Sequence, residues 1–160
     1  MIKNDILDIK QLLATPKKVV IIPHKNPDGD AIGSTLGLYH YLKLKGHDAI
    51  VISPNDYPEF LKWIPGEDSI LKYDENIQKA TELVQQAELL FLLDFNTLHR
   101  TGNMESILES SNAIKIMIDH HQQPDNFAKY VYSDATICST SQMIYHFIEM
   151  LEDINAIGKK

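Results

Sequence analysis

The stretch Lys18-Val19-Val20-Ile21-Ile22-Pro23-His24-Lys25-Asn26-Pro27-Asp28-Gly29-Asp30, with the run Ala31 to Gly46 behind it, decides the fold. Val19 to Ile22 are four consecutive β-branched residues, the pattern of a short strand buried on both faces, as in parallel sheets. Pro23 to Gly29 are polar and rich in Pro, Asn and Asp, so the chain turns there. Helical spacing then resumes from Ala31 to Lys45 through Ile32, Leu36, Leu38, Tyr39 and Leu42, and Gly46 is a candidate C-cap. His47 to Ile52 form the next strand. Residues 18–52 are therefore a β-loop-helix-β unit, whose parallel strands require a crossover, and that crossover is right-handed.

Working outward, Ile2, Ile6, Ile9, Leu12 and Leu13 space an amphipathic helix that Pro16 helps to end. Residues 53–66, with Pro54, Pro58, Pro65 and Gly66, are a loop region in which Tyr57 to Trp63 manage a helical turn or two. Glu75 to Gln86 are expected as a helix, Glu88 to Leu93 as a buried strand ending at Asp94, and Met104 to Glu109 as a short helix. Ala113 to Ile118 are expected as a buried strand ending at Asp119, Tyr130 to Tyr132 as a brief strand, and Ser139 to Leu151 as a last helix capped by Ser139, Thr140 or Ser141. The fold class is α/β, a mostly parallel open sheet flanked by helices, in one domain. In such sheets the ligand crevice lies beyond the carboxyl ends of the strands.

The 160 residues carry a formal charge of −7, which argues against long duplex nucleic acid as a partner and leaves small phosphate esters open. No apolar run approaches the ~18 residues of a membrane span, and the N-terminus does not resemble a signal peptide, so a cytoplasmic location is expected. Cys138 stands alone and excludes a multi-cysteine metal site. It is expected as a small buried residue without chemistry.

Three expected strand ends carry acids or imidazoles: His24 after Ile22, Asp94 after Leu93, and Asp119-His120-His121 after Ile118. Asp28 and Asp30 flank Gly29 in the first of these loops, where an Asx turn and helix cap would also account for them. Asp94 ends a five-residue apolar run, where a lone buried carboxylate is costly without a cation. A solvated residue capping the next loop is the plainer alternative. Arg100 could pair with Asp94 or hold a phosphate through its planar fork. His40, His47, His99 and His146 lie in helices, at a strand start or in a loop, and are assigned core or surface roles. Together His24, Asp28, Asp30, Asp94 and His120 are the inventory of a two-metal centre, in which paired divalent ions clamp a phosphoryl group and activate water. Oxygen and imidazole donors suit manganese, with magnesium as the alternative.

These residues resemble the DHH phosphoesterase family, whose motifs correspond to PHKNPDGDAIGS at 23–34, LLDFNTLHRTG at 92–102, MIDHHQQP at 117–124 and SDATICSTSQMIY at 133–145. The finer resemblance is to the branch that degrades very short RNA oligonucleotides and dephosphorylates adenosine 3′,5′-bisphosphate. It implies that His24 and Asp28 hold one manganese, Asp30 and His120 the other, and that Asp94 bridges them. It further implies that Asp119 orients the imidazoles and His121 faces the scissile phosphate, with Arg100 and the Ser139 to Ser141 helix start as phosphate contacts. A homodimer is compatible with it. Cyclic-dinucleotide, polyphosphate or pyrophosphate hydrolysis is the alternative within the superfamily, and metal or nucleotide binding without turnover is the alternative outside catalysis. The resemblance also implies that family members continue into a strand bearing an Asp-Thr-Gly motif, whose Asp completes the second metal site, and into a substrate-binding C-terminal domain. Asp134 has the wrong motif context to be the Asp of that strand. The expectation is thus a truncated form with weak or no turnover alone.

Overall fold

The computed structural model describes residues 1–158. Its regular elements are α1 (Lys3–Leu12), β1 (Lys18–Ile22), α2 (Gly29–Leu44), β2 (Asp48–Ser53), β3 (Leu71–Lys72), α3 (Ile77–Gln86), β4 (Leu89–Leu93), α4 (Glu105–Glu109), β5 (Ile114–Asp119), β6 (Tyr130–Ser133) and α5 (Thr140–Met150). The six strands form one sheet in the order β3-β2-β1-β4-β5-β6, every pair parallel. From β1 the chain winds outward through β2 to β3, crosses back to lay β4 beside β1, and winds outward the other way. Strand order therefore reverses between β1 and β4, the point beyond whose carboxyl ends sheets of this kind place their ligand crevice.

Alternation along the strands divides the interior into two layers. Val19, Ile21, Leu89, Phe91, Leu93, Ile116 and Ile118 face α1, α2 and α5, packing against Ile9, Leu36, Leu38, Met143 and Phe147. Val20, Ile22, Leu90 and Leu92 face α3 and α4, packing against Ala80, Val84, Met104 and Leu108. Strands covered on both sides need apolar residues at every position, which is why β1 and β4 read as continuous apolar runs.

Gly46 ends α2 with φ +87°, and His47 N–H donates to the Leu42 carbonyl at 3.0 Å while Gly46 N–H donates to that of Lys43 at 3.0 Å, a Schellman closure. Two features depart from expectation. Residues 67–75 hold two 3-10 turns and the edge strand β3, which pairs only through Ile52 with Leu71 and Ser53 with Lys72, too short to carry a period. Leu98–Met104 form 3-10 turns ahead of α4, broken at Gly102 with φ +59°. A Cβ on Gly102 would lie 2.9 Å from Lys25 Cδ, so that glycine lets the segment pass under the first motif loop. Among the described residues no helix is long and apolar enough to cross a membrane.

Candidate metal centre

His24 leaves β1 at the reversal point and is buried. Its ring Nδ1 lies 2.7 Å from the Lys25 carbonyl. A carbonyl only accepts, so Nδ1 carries the hydrogen, and in the neutral ring Nε2 presents its lone pair to the crevice. Nε2 faces Asp94 Oδ2 at 3.3 Å and Asp28 Oδ1 at 3.9 Å. The loop is held by Lys25 N–H, which donates to the Arg100 carbonyl at 2.7 Å. Burial pushes the His24 imidazole down, but the hydrogen bond its protonated Nε2 donates to Asp94, the Lys25 carbonyl and the Asp94 charge together raise it above its ordinary value.

A histidine raised on folding adds stability that is fully present below its unfolded value, about 6.5, and is lost as pH rises through the folded value. The metal-free melting temperature of wild type relative to His24→Gln should therefore fall as pH rises above about 6.5. Melting curves of both proteins across that window check the sign.

Asp94 emerges from β4 only 2% exposed, with its backbone in the left-handed region at φ +67° and its N–H donating to the Ile118 carbonyl at 3.0 Å. A non-glycine residue is strained there, and such strain collects where a side chain must be aimed. The aim is evident: while Oδ2 faces His24, Oδ1 faces His120 Nε2 at 3.4 Å. His120 Nε2 also lies 3.6 Å from Asp30 Oδ2.

Asp28 has two roles. It is the N-cap of α2, accepting the Ala31 N–H at 3.0 Å, and the same carboxylate turns toward His24. Asp28→Ser keeps a capping oxygen and removes the charge. Its metal-free stability is expected within about 0.5 kcal/mol of wild type, with clearly weaker divalent-cation binding, to be read from urea melts and a manganese titration.

Of the three residues considered for the α5 cap, Ser139 takes the position and accepts the Gln142 N–H at 3.1 Å. The next two grip Asp30: Thr140 N–H donates to its Oδ2 at 2.8 Å, and Ser141 N–H and Oγ donate to its Oδ1 at 2.8 and 2.7 Å. The Thr140 hydroxyl donates to Asp94 Oδ1 at 2.9 Å. The anion at this helix start is thus a protein carboxylate, and the structure places the Thr140 and Ser141 donors on Asp30 rather than toward a substrate phosphate. Burial pushes Asp30 up, but these bonds and the His120 charge outweigh it and hold the carboxyl below the usual range.

Asp119 is fully buried and serves His121 rather than both imidazoles. One oxygen accepts the His121 backbone N–H at 3.1 Å and the other accepts the ring Nδ1–H. Ligand atoms from His24, Asp28 and Asp94 lie within 4.8 Å of one another, as do those from Asp94, His120 and His121. The two groups share Asp94, and Asp30 stands at the edge of the second. Arg100 is exposed and, among the described residues, makes no ion pair with Asp94, although its charge bears on His24.

The remaining histidines lie outside these groups. His40 donates to the Pro65 carbonyl, His47 is buried and accepts the Lys17 N–H, and His99 and His146 face Glu105 and Glu149. Asp134 is taken up by Thr136. Cys138 corrects an expectation: it is exposed, its thiol against Gln142 Oε1 at 3.1 Å, because it precedes the helix instead of packing under it. The carboxylate-holding roles of Thr140 and Ser141 were not legible, since a Ser-Thr-Ser helix start advertises donors without naming an acceptor 110 residues away.

The profile described as DHH family, N-terminal domain, matches residues 18–160. The chain belongs to the DHH family. It is 31% identical over 140 residues to the bifunctional oligoribonuclease and PAP phosphatase NrnA of Thermus thermophilus, covering 88% of this chain and 39% of that protein. It is 24% identical over 159 residues to the cyclic-di-AMP phosphodiesterase PdeA of Listeria monocytogenes, covering 94% of this chain and 24% of that one. The crystal structure of an exopolyphosphatase-related protein from Bacteroides fragilis superposes with a TM-score of 0.96 at 39% identity, over 98% of this chain and 46% of the other. The DHH chain described here thus spans less than half the length of each of these proteins.

Proposed function

We propose that this chain is the metal-holding domain of a divalent-metal phosphoesterase that hydrolyses short oligoribonucleotides and adenosine 3′,5′-bisphosphate. The observation that carries the reading is Asp94, buried at the sheet's reversal point with one oxygen toward His24 and the other toward His120. A carboxylate so divided is built to join two cations. The donors fit: imidazole and carboxylate without thiolate suits manganese, with magnesium as the second choice. His24 and Asp28 would hold one ion, His120 and Asp30 the other, with Asp94 between them. Such a pair, when bound, supplies charge neutralisation for a phosphoryl group and activation of water.

The chain's own residues supply the rest. The Lys25 carbonyl holds the hydrogen of neutral His24 on Nδ1, so that Nε2 is the nitrogen offered to a cation. Because Asp119 occupies Nδ1 of His121, Nε2 is the atom through which that ring exchanges a proton with the departing oxygen. The exposed Arg100 fork is suited to a non-reacting phosphate of the substrate.

The NrnA relative favours the linear substrates, and the PdeA relative makes a cyclic dinucleotide the second reading. Manganese is expected to raise the melting temperature of residues 1–160. With manganese, mononucleotide release from a linear dinucleotide and phosphate release from adenosine 3′,5′-bisphosphate should exceed cleavage of cyclic dinucleotide or pyrophosphate. Assayed alone, these residues are expected to turn over slowly, because more than half of each compared relative lies outside the aligned part. Absence of a manganese-induced rise would overturn the metal reading, and preference for the cyclic substrate would overturn the substrate reading.

A further inference from the structure

Thr140 is fully buried at the start of α5 and grips both central carboxylates, its N–H on Asp30 Oδ2 at 2.8 Å and its hydroxyl on Asp94 Oδ1 at 2.9 Å. Those two oxygens are the pair that faces His120 Nε2, at 3.6 and 3.4 Å. Thr140 therefore stands behind the half of the centre that His120 fronts. It has no such contact with the other half, where His24 faces Asp94 Oδ2 and Asp28.

Rotation about the last side-chain bond of an aspartate is soft, so burial alone does not fix the plane of the carboxylate and with it the sharing of its two oxygens between the two imidazoles. A hydroxyl donating to one of those oxygens does. We propose that Thr140 is a positioning residue that sets the divided orientation of Asp94 and so makes the His120 half of the centre competent for a cation. The inference rests on the function proposed above. The backbone N–H on Asp30 would survive any substitution that keeps α5 in place, so the hydroxyl is the separable part of the device. Hydrogen-bond partners that orient metal ligands typically contribute 10–100-fold in affinity.

The test titrates manganese into wild type, Thr140→Val and Thr140→Ser by calorimetry, and records the electron paramagnetic resonance of the loaded proteins. Wild type should take up two ions and show the signal of a magnetically coupled pair. Thr140→Val, nearly isosteric but without the hydroxyl, should bind one ion as wild type does, bind the second roughly 10–100-fold more weakly, and lose the coupled signal. Thr140→Ser should restore both. Ser141→Ala, which removes a donor from Asp30 but leaves Asp94's partners in place, should keep the coupled signal. If Thr140→Val lacks a cooperative metal-free melt, Thr140→Ala provides the same comparison without a methyl against the carboxylate. Unchanged binding of both ions in a folded variant lacking the hydroxyl would overturn the inference alone. Failure of wild type to bind manganese would overturn the function on which it rests.

Discussion

Asp94→Asn is expected to weaken manganese binding by more than the 10–100-fold typical of losing a residue that merely supports a ligand, and to depress manganese-dependent turnover at least as much. The substitution preserves shape, and the new amide oxygen can still accept the Thr140 hydroxyl on the Oδ1 side. What it removes is the charge at a 2% exposed position and the oxygen that faces His24. The amide nitrogen placed there would donate to the His24 Nε2 lone pair and so occupy the donor that a cation needs. The effect is readable without catalysis. At a manganese concentration about 100 times the wild-type dissociation constant, binding stabilises wild type by about 2.7 kcal/mol, and a 100-fold loss of affinity leaves only about 0.4 kcal/mol. Metal-dependent melting of the two proteins measures this directly. An unaltered metal-induced shift in Asp94→Asn would sink the bridging role.

The geometry also explains why a centre of this kind sits where it does. A parallel sheet wound in two directions has one place where adjacent strands send their following loops apart, and β1 and β4 are those strands. His24 and Asp94 follow them directly, and Ile22 pairs in register with Leu92, so the two side chains meet without a long loop. β5 adds Asp119 to His121 one strand further on, its Ile118 in register with Leu93. The carboxylates are then held by ordinary protein donors: the α2 start accepts Asp28 as its cap, and the α5 start grips Asp30 and Asp94. Much of the negative charge clustered at the crevice is thus already met by oriented N–H and O–H groups before any cation arrives.

This division also governs what was readable from the residues. β1 and β4 were legible because strands buried on both faces leave unbroken apolar runs, and β5 through Ile116 to Ile118 despite Lys115; the acids and imidazoles at their ends then had to share one edge. β3 was not, since two residues at a sheet edge carry no pattern. The convergence of His24, Asp28, Asp30, Asp94 and His120 follows from chain topology and could be anticipated. The direction each carboxylate faces depends on partners distant in sequence, such as Thr140 for Asp94, and could not. Cys138 shows the same limit, because its exposure depends on where α5 begins, and Ser139, Thr140 and Ser141 were equally good caps by type.

Asp119→Asn and His121→Asn should both lower turnover by roughly 10²–10⁴-fold, the usual range for a positioned acid or base, with little change in manganese affinity. Asp119 is fully buried and binds one face of His121 through both the ring and the backbone, leaving Nε2 as the working atom. An asparagine at 119 that turns its amide nitrogen to Nδ1 reverses the bond, so the ring must carry its hydrogen on Nε2 and can no longer alternate there as before. The two variants differ in the metal-free state. His121→Asn leaves the buried Asp119 carboxylate without its ring partner and should cost about 1–3 kcal/mol, whereas Asp119→Asn introduces no unpaired charge. His121 also lies close enough to Asp94 and His120 to be a ligand itself, and the same measurements decide that point. A ligand role predicts a manganese affinity that falls in step with turnover in His121→Asn. A proton-transfer role predicts that turnover falls while the metal-induced melting shift persists, and that outcome is expected, because His120 already presents its Nε2 to Asp94 and Asp30 as the imidazole of that half of the centre.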